Sequence, residues 1–234
     1  MQLFEMNNVV LEFSNKPEKL LNGLTTNTLD AKRNAFIDIF GRIVLLADQY
    51  KRDENTILLI FPAQFEQRLL THIDKYLKMT KVHIKKLPMH VYFNTTDDYF
   101  PEQGDIVIKQ EKGQLVLSEK ELSRGLSDTQ SQDAFTTFRV CHCLPLQGID
   151  FDQEMILNIG AEQFVTYIST TKGCFLGQEI VARVTARASP PRKLVVKYED
   201  ECTEDEQKKM TSKVSEDGRV KGFVFETFSF QSIQ

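Results

Sequence analysis

The residues best suited to chemistry form one stretch, Lys172-Gly173-Cys174-Phe175-Leu176-Gly177-Gln178-Glu179. Two glycines bracket a thiol and an aromatic ring, and a helix-like run, Gln178 to Val184, follows directly. Gly173 and Gly177 offer positive φ or close backbone approach. Ile180, Val181 and Val184 fall on one helical face, and Glu179, Arg183 and Arg187 line another at four-residue spacing. A helix starting near Gly177 places Cys174 just before its positive end, with Lys172 close by; both favour a thiolate. The same residues also read as a tight loop with a buried cysteine feeding a packed helix.

The remaining candidates are weaker. Cys141-His142-Cys143 invites a metal, yet successive helical side chains diverge by about 100° and cannot converge on one ion. His72, His83 and His90 match no ligand spacing, so no metal site is expected. A net charge of −4 and a pI near 5.7 give no bulk positive field for nucleic acid. With 41% apolar and 26% charged residues, the 234-residue chain has the composition of an ordinary soluble globular protein. No apolar run reaches the roughly 18 residues of a membrane span, and the N-terminus lacks a signal-peptide layout. A cytosolic location with reduced cysteines follows as the expectation.

Several elements must position the motif. Residues 3–13 alternate as a strand, Asn15 and Glu18 offer a capping pair, and Leu20, Leu21 and Leu24 form a helical stripe. A hairpin is expected over Ala35 to Ala47, turning near Asp38 to Gly41. Thr56 to Phe61 reads as a buried strand, Ala63 to Met79 as a helix, and Val82 to Leu87 and Met89 to Phe93 as strands. Further strands are expected at Ile106 to Ile108 and Leu115 to Leu117, giving a ferredoxin-like unit over residues 50–125. Ser131 to Asp133 caps a helix ending near His142, and Leu146 to Glu154 is a loop. Phe164, Tyr167 and Ile168 form a buried segment. Leu194 to Val196 is a strand, Glu199 to Lys213 a charged exposed loop, and Val220 to Phe230 one or two final strands with Gly222 as a bulge.

The motif closely resembles K-G-C-[FY]-x-G-Q-E of the YgfZ family, in the superfamily of the glycine-cleavage T protein (aminomethyltransferase). The likeness continues through Val181-Ala182-Arg183 and reaches Pro190-Pro191-Arg192. Two shorter stretches agree in order: Asn22 to Asn27 resembles Q-G-x-[TV]-[TA]-[ND], and Asp38 to Arg42 resembles D-x-x-G-[KR]. Arg139 and Pro145 also match, but Cys143 stands where relatives carry glycine.

The resemblance implies an α+β fold, the folate-binding fold of the glycine-cleavage T protein. Residues 1–49 with 126–190 would form the N-terminal folate-binding lobe, 50–125 a ferredoxin-like middle lobe, and 191–234 a shortened C-terminal β lobe. It implies tetrahydrofolate or a derivative as cofactor. Phe135 and Phe175 would serve as walls, Met6 as a softer wall, Asn27, Gln178 and Glu179 as polar groups, and Arg183 as a cation. Relatives line the site with tryptophan; this chain has none. Cys174 and Lys172 become the catalytic pair of a monomeric accessory protein for iron–sulfur client enzymes, one of them a tRNA-modifying enzyme. No iron–sulfur cluster is held stably. The alternatives are a tetrahydrofolate-dependent aminomethyltransferase and a non-catalytic protein-interaction domain.

Overall fold

A computed structural model describes residues 2–96, 98–122, 128–187, 190 and 192–227. The expected first strand breaks at Asn7 into β1 (Leu3–Met6) and β2 (Asn8–Ser14), which enter different sheets. After β2 come α1 (Glu18–Leu24), β3 (Arg33–Ile37), β4 (Ile43–Asp53), β5 (Thr56–Pro62), α2 (Glu66–Leu77) and β6 (His83–Leu87). Alternation explains why β2 and β5 read as nearly unbroken apolar runs. Val9, Leu11, Phe13, Ile57, Leu59 and Phe61 pack with α1 and α2, while Val10, Leu58 and Ile60 pack on the opposite side.

The five-stranded sheet has the order β3-β4-β5-β2-β6, every pairing antiparallel. Leaving out β3, the order β6-β2-β5-β4 with helices α1 and α2 is a split βαβ arrangement. It is built from residues 8–87 rather than 50–125, because β2 inserts between β5 and β6. An expected boundary at 49/50 would fall inside β4.

Next come β7 (His90–Asn94), β8 (Ile106–Lys109) and β9 (Gln114–Ser118), which join β1 in a second sheet of order β1-β7-β9-β8. That sheet packs against Val10, Leu58 and Ile60. Helices α3 (Asp128–Cys141), α4 (Ala161–Tyr167) and α5 (Gln178–Arg187) follow, with a 3₁₀ turn at Ile156–Ile159. The chain then forms β10 (Arg192–Tyr198), α6 (Glu204–Lys209), β11 (Thr211–Glu216) and β12 (Arg219–Thr227), the last sheet running β10-β12-β11. A second part of the core joins Ala35, Ile37 and Ile43 to Phe151, Ile156, Phe175, Val181, Leu194 and Phe223.

Several local expectations need correction. Asn15 does not cap α1: Pro17 holds the N-cap position, and Asn15 at φ 64° gives its side chain to the Lys81 carbonyl at 2.6 Å. The helix after Pro62 begins as a 3₁₀ turn over Ala63–Phe65. The charged stretch after Glu199 is not a plain loop: Thr203 and Glu206 form a capping box that starts α6, and Lys213 lies in β11. The irregularity of the last sheet falls between Thr211 and Val214, opposite Gly222. The side chain of Arg187, Pro191 and residues 228–230 lie outside the described residues. Among the described residues, no helix is long and apolar enough to cross a membrane.

Candidate functional site

The motif loop is fixed at its ends and open at its centre. Gly177, at φ 81°, lies so close to the Asp38 carbonyl that a Cβ there would overlap it. The Leu176 N–H donates to the Gly23 carbonyl at 2.9 Å. Phe175 is buried in the core and Cys174 is exposed. Gly173 has neither positive φ nor a close neighbour, so the expectation holds for the second glycine alone.

Lys172 turns inward. Its Nζ donates to the carbonyls of Thr25 at 2.7 Å and Asn27 at 2.8 Å, and lies 5.6 Å from the Phe175 ring centre. Burial lowers its pKa to about 8. On α5, Glu179 and Arg183 pair with each other at 2.5 Å, both largely exposed. Gln178 opens that helix, half-buried.

A cavity of about 290 Å³ opens where α3, the loop after it and the two larger sheets meet. Its apolar wall includes Met6, Phe93, Leu115 and Phe135. Phe135 stacks on Phe4 at 5.2 Å and tilts against Phe93 at 5.5 Å. Arg33, Asp48, Arg139 and Tyr167 supply the chemistry. Arg33 and Asp48 face each other in register on β3 and β4, with Nε to Oδ1 at 3.3 Å. Gln110 donates to the same Oδ1 at 3.0 Å. Burial raises the Asp48 pKa against the opposing pull of Arg33 and Gln110, and burial pushes Tyr167 up to about 12.

Arg139 is nearly sealed. It donates to Asp150 at 2.7 Å, to the Leu144 carbonyl at 3.2 Å and to Ser212 at 2.8 Å. Asp150 in turn accepts from Thr211 and Ser212, tying α3 to β11. The cavity is therefore held on one side by a buried ion pair whose Nη nitrogens are both engaged, while the buried Arg139 Nε has no partner among the described residues.

Of the residues named from the sequence, Met6 and Phe135 line this cavity. Lys172, Cys174, Phe175, Gln178, Glu179 and Arg183 are not among its lining residues. Asn27 stands between the two groups: its side chain donates to the carbonyls of Arg33 at 3.2 Å and Thr166 at 3.0 Å, and its own carbonyl receives Lys172. The turn around Asn27 joins the motif loop to two cavity residues, because Thr26 also donates to the Tyr167 carbonyl at 2.6 Å.

Sequence reasoning missed Arg33, Asp48 and Tyr167. The usable signal was an arginine in the first strand of the hairpin and an aspartate in the second, opposite charges that antiparallel pairing brings together.

The cysteines do not gather. Cys141, Cys143 and Cys174 are exposed, Cys202 is half-buried, and no described cluster of three or more His, Cys, Asp or Glu is arranged to hold a metal. Cys143 sits at φ 51° in a Schellman turn, with its N–H to the Val140 carbonyl and the Leu144 N–H to Arg139. A left-handed residue there accounts for the glycine that the resemblance leads one to expect.

No family model matches the chain, and no curated protein matches it. Among solved structures it is similar to the glycine cleavage system aminomethyltransferase T from Bartonella henselae, with a TM-score of 0.64 and 11% identity. The chain shares that aminomethyltransferase's fold. The match covers 84% of this chain and 66% of the aminomethyltransferase, so the chain spans just under two thirds of its length. At this identity the likeness speaks for the fold alone.

Proposed function

We propose that the protein binds a reduced folate in the 290 Å³ cavity and acts as an accessory protein of the YgfZ type. The reading is supported above all by the cavity: the Phe135 ring and the paired Asp48 carboxyl and Arg33 guanidinium line the same space, in a fold shared with an aminomethyltransferase. A pterin needs such a surface, apolar over its faces and polar at its edge. The motif resemblance supports the second half, in which Cys174 serves iron–sulfur client enzymes as a transient ligand or nucleophile. Its thiol is exposed, as contact with a client requires.

Because Cys174 is not a cavity-lining residue, the two halves separate experimentally. Calorimetric titration with tetrahydrofolate is expected to show one site, weakened about tenfold in Phe135→Ala. Cys174→Ser should keep that affinity and fail to restore iron–sulfur enzyme activity in cells lacking the protein. No heat with tetrahydrofolate removes the folate reading; full rescue by Cys174→Ser removes the thiol role. Methylene transfer from an aminomethyl-lipoyl carrier would instead make the protein an aminomethyltransferase.

A further inference from the structure

We propose that Asp48 and Arg33 together read the edge of the cavity's ligand. Asp48 accepts from the 2-amino group and ring N–H of a 2-amino-4-oxopteridine, and Arg33 donates to its 4-oxo oxygen. The proposal rests on the folate reading and adds which ring edge is recognised and by what.

The open valences point to this pairing. Arg33 commits only its Nε to Asp48, and no described residue hydrogen-bonds either Nη nitrogen. Asp48 receives Arg33 and Gln110 on Oδ1, and no described residue donates to Oδ2. Both side chains keep some exposure, 17% and 22%, and both line the cavity. The site therefore presents an unfilled acceptor beside unfilled donors. The other cation of the wall, Arg139, gives both Nη nitrogens to Asp150, Leu144 and Ser212 and keeps only a sealed Nε without a partner among the described residues, so it offers no paired donor edge.

The order of donor and acceptor is held by the fold. Arg33 and Asp48 are directly paired residues of an antiparallel ladder, so neither can move along its strand without breaking register. A ligand edge must then carry donors toward Asp48 and an acceptor toward Arg33. The 2-amino-4-oxo edge does so. A 2,4-diamino edge turns an N–H₂ toward the guanidinium, leaving two sets of donors facing one another. A pyrimidinedione edge places a carbonyl against the Asp48 carboxyl and is rejected for the mirror reason.

The test compares folic acid with aminopterin, which differ at the 4-position, in calorimetric titrations of the intact protein, with tetrahydrofolate as reference. Folic acid is expected to bind at least about tenfold tighter than aminopterin. Arg33→Met should shrink that ratio, and Asp48→Asn should weaken all three ligands about tenfold or more with an unchanged circular dichroism spectrum. If either variant does not fold, the ligand pair on the unaltered chain still decides. Equal affinity for folic acid and aminopterin, with tetrahydrofolate bound, overturns the proposal and leaves the folate reading standing. Absence of tetrahydrofolate binding overturns both.

Discussion

The Lys172 ammonium reaches across 145 positions of sequence to the Asn27 carbonyl, 2.8 Å away, and among the described residues no carboxylate pairs with it. A buried amine without a counter-ion gives up its proton readily, which places its titration near pH 8 instead of 10.5. Competitive acylation followed by mass spectrometry should show Lys172 gaining reactivity around pH 8, earlier than the exposed lysines. The linked stability has a definite sign. Between about 8 and 10.5 the unfolded chain binds more protons at this residue, so its contribution to stability rises with pH across that window and is level below it. Lys172→Met should flatten that rise in urea unfolding series; an unchanged slope would contradict the assignment.

Gly177 permits the contact that seats the motif loop on the hairpin. Its φ of 81° and its place against the Asp38 carbonyl leave no room for a methyl group. Gly177→Ala is expected to cost roughly 2–3 kcal/mol, from left-handed strain and displaced backbone together. Gly173→Ala, with nothing within 4 Å and no positive φ, should cost well under about 1 kcal/mol. Chemical denaturation of the two variants provides the comparison.

Cys143 carries a Cβ where the Schellman turn prefers none. Cys143→Gly should stabilise the protein by about 0.5–1 kcal/mol, the relief of the left-handed conformation partly offset by a freer unfolded chain. A loss of stability would mean that the thiol makes a contact worth more than the strain.

Arg139 and Asp150 are 3% and 0% exposed at their side chains. Arg139→Met is expected to cost about 3–5 kcal/mol, because it strands a buried carboxylate among Thr211 and Ser212. Replacing both, as Arg139→Met with Asp150→Leu, should restore part of that loss. Thermal unfolding of the single and double variants separates a stranded charge from a merely lost contact.

Much of the fold was legible because its period is local. The hairpin around Gly41, the apolar strand β5, the amphipathic α2 and the helix opened by Gln178 all follow from alternation, stripes and glycine placement. What the sequence does not display is which strand lies beside which. Nothing local in Asn8–Ser14 says that it pairs with both β5 and β6, so local patterning alone puts the split βαβ arrangement too late in the chain. Thr203 with Glu206 was a readable start signal, masked by the surrounding charge.

The cavity and the strongest motif occupy different places in the fold. Phe135 and Met6 line the cavity, whereas the motif residues do not and connect to it through the Asn27 turn. The juxtaposition of Arg33 and Asp48 depends on cross-strand register, which only pairing reveals.

The insertion of β2 between β5 and β6 also bears on how the chain is made. A growing polypeptide that has passed Phe13 still lacks both neighbours of that segment; the second, at His83–Leu87, emerges much later. Ribosome-bound intermediates shorter than that should stay more protease-sensitive around Asn8–Ser14 than the finished sheet, since β2 then has β5 on one side and its β6 side still open.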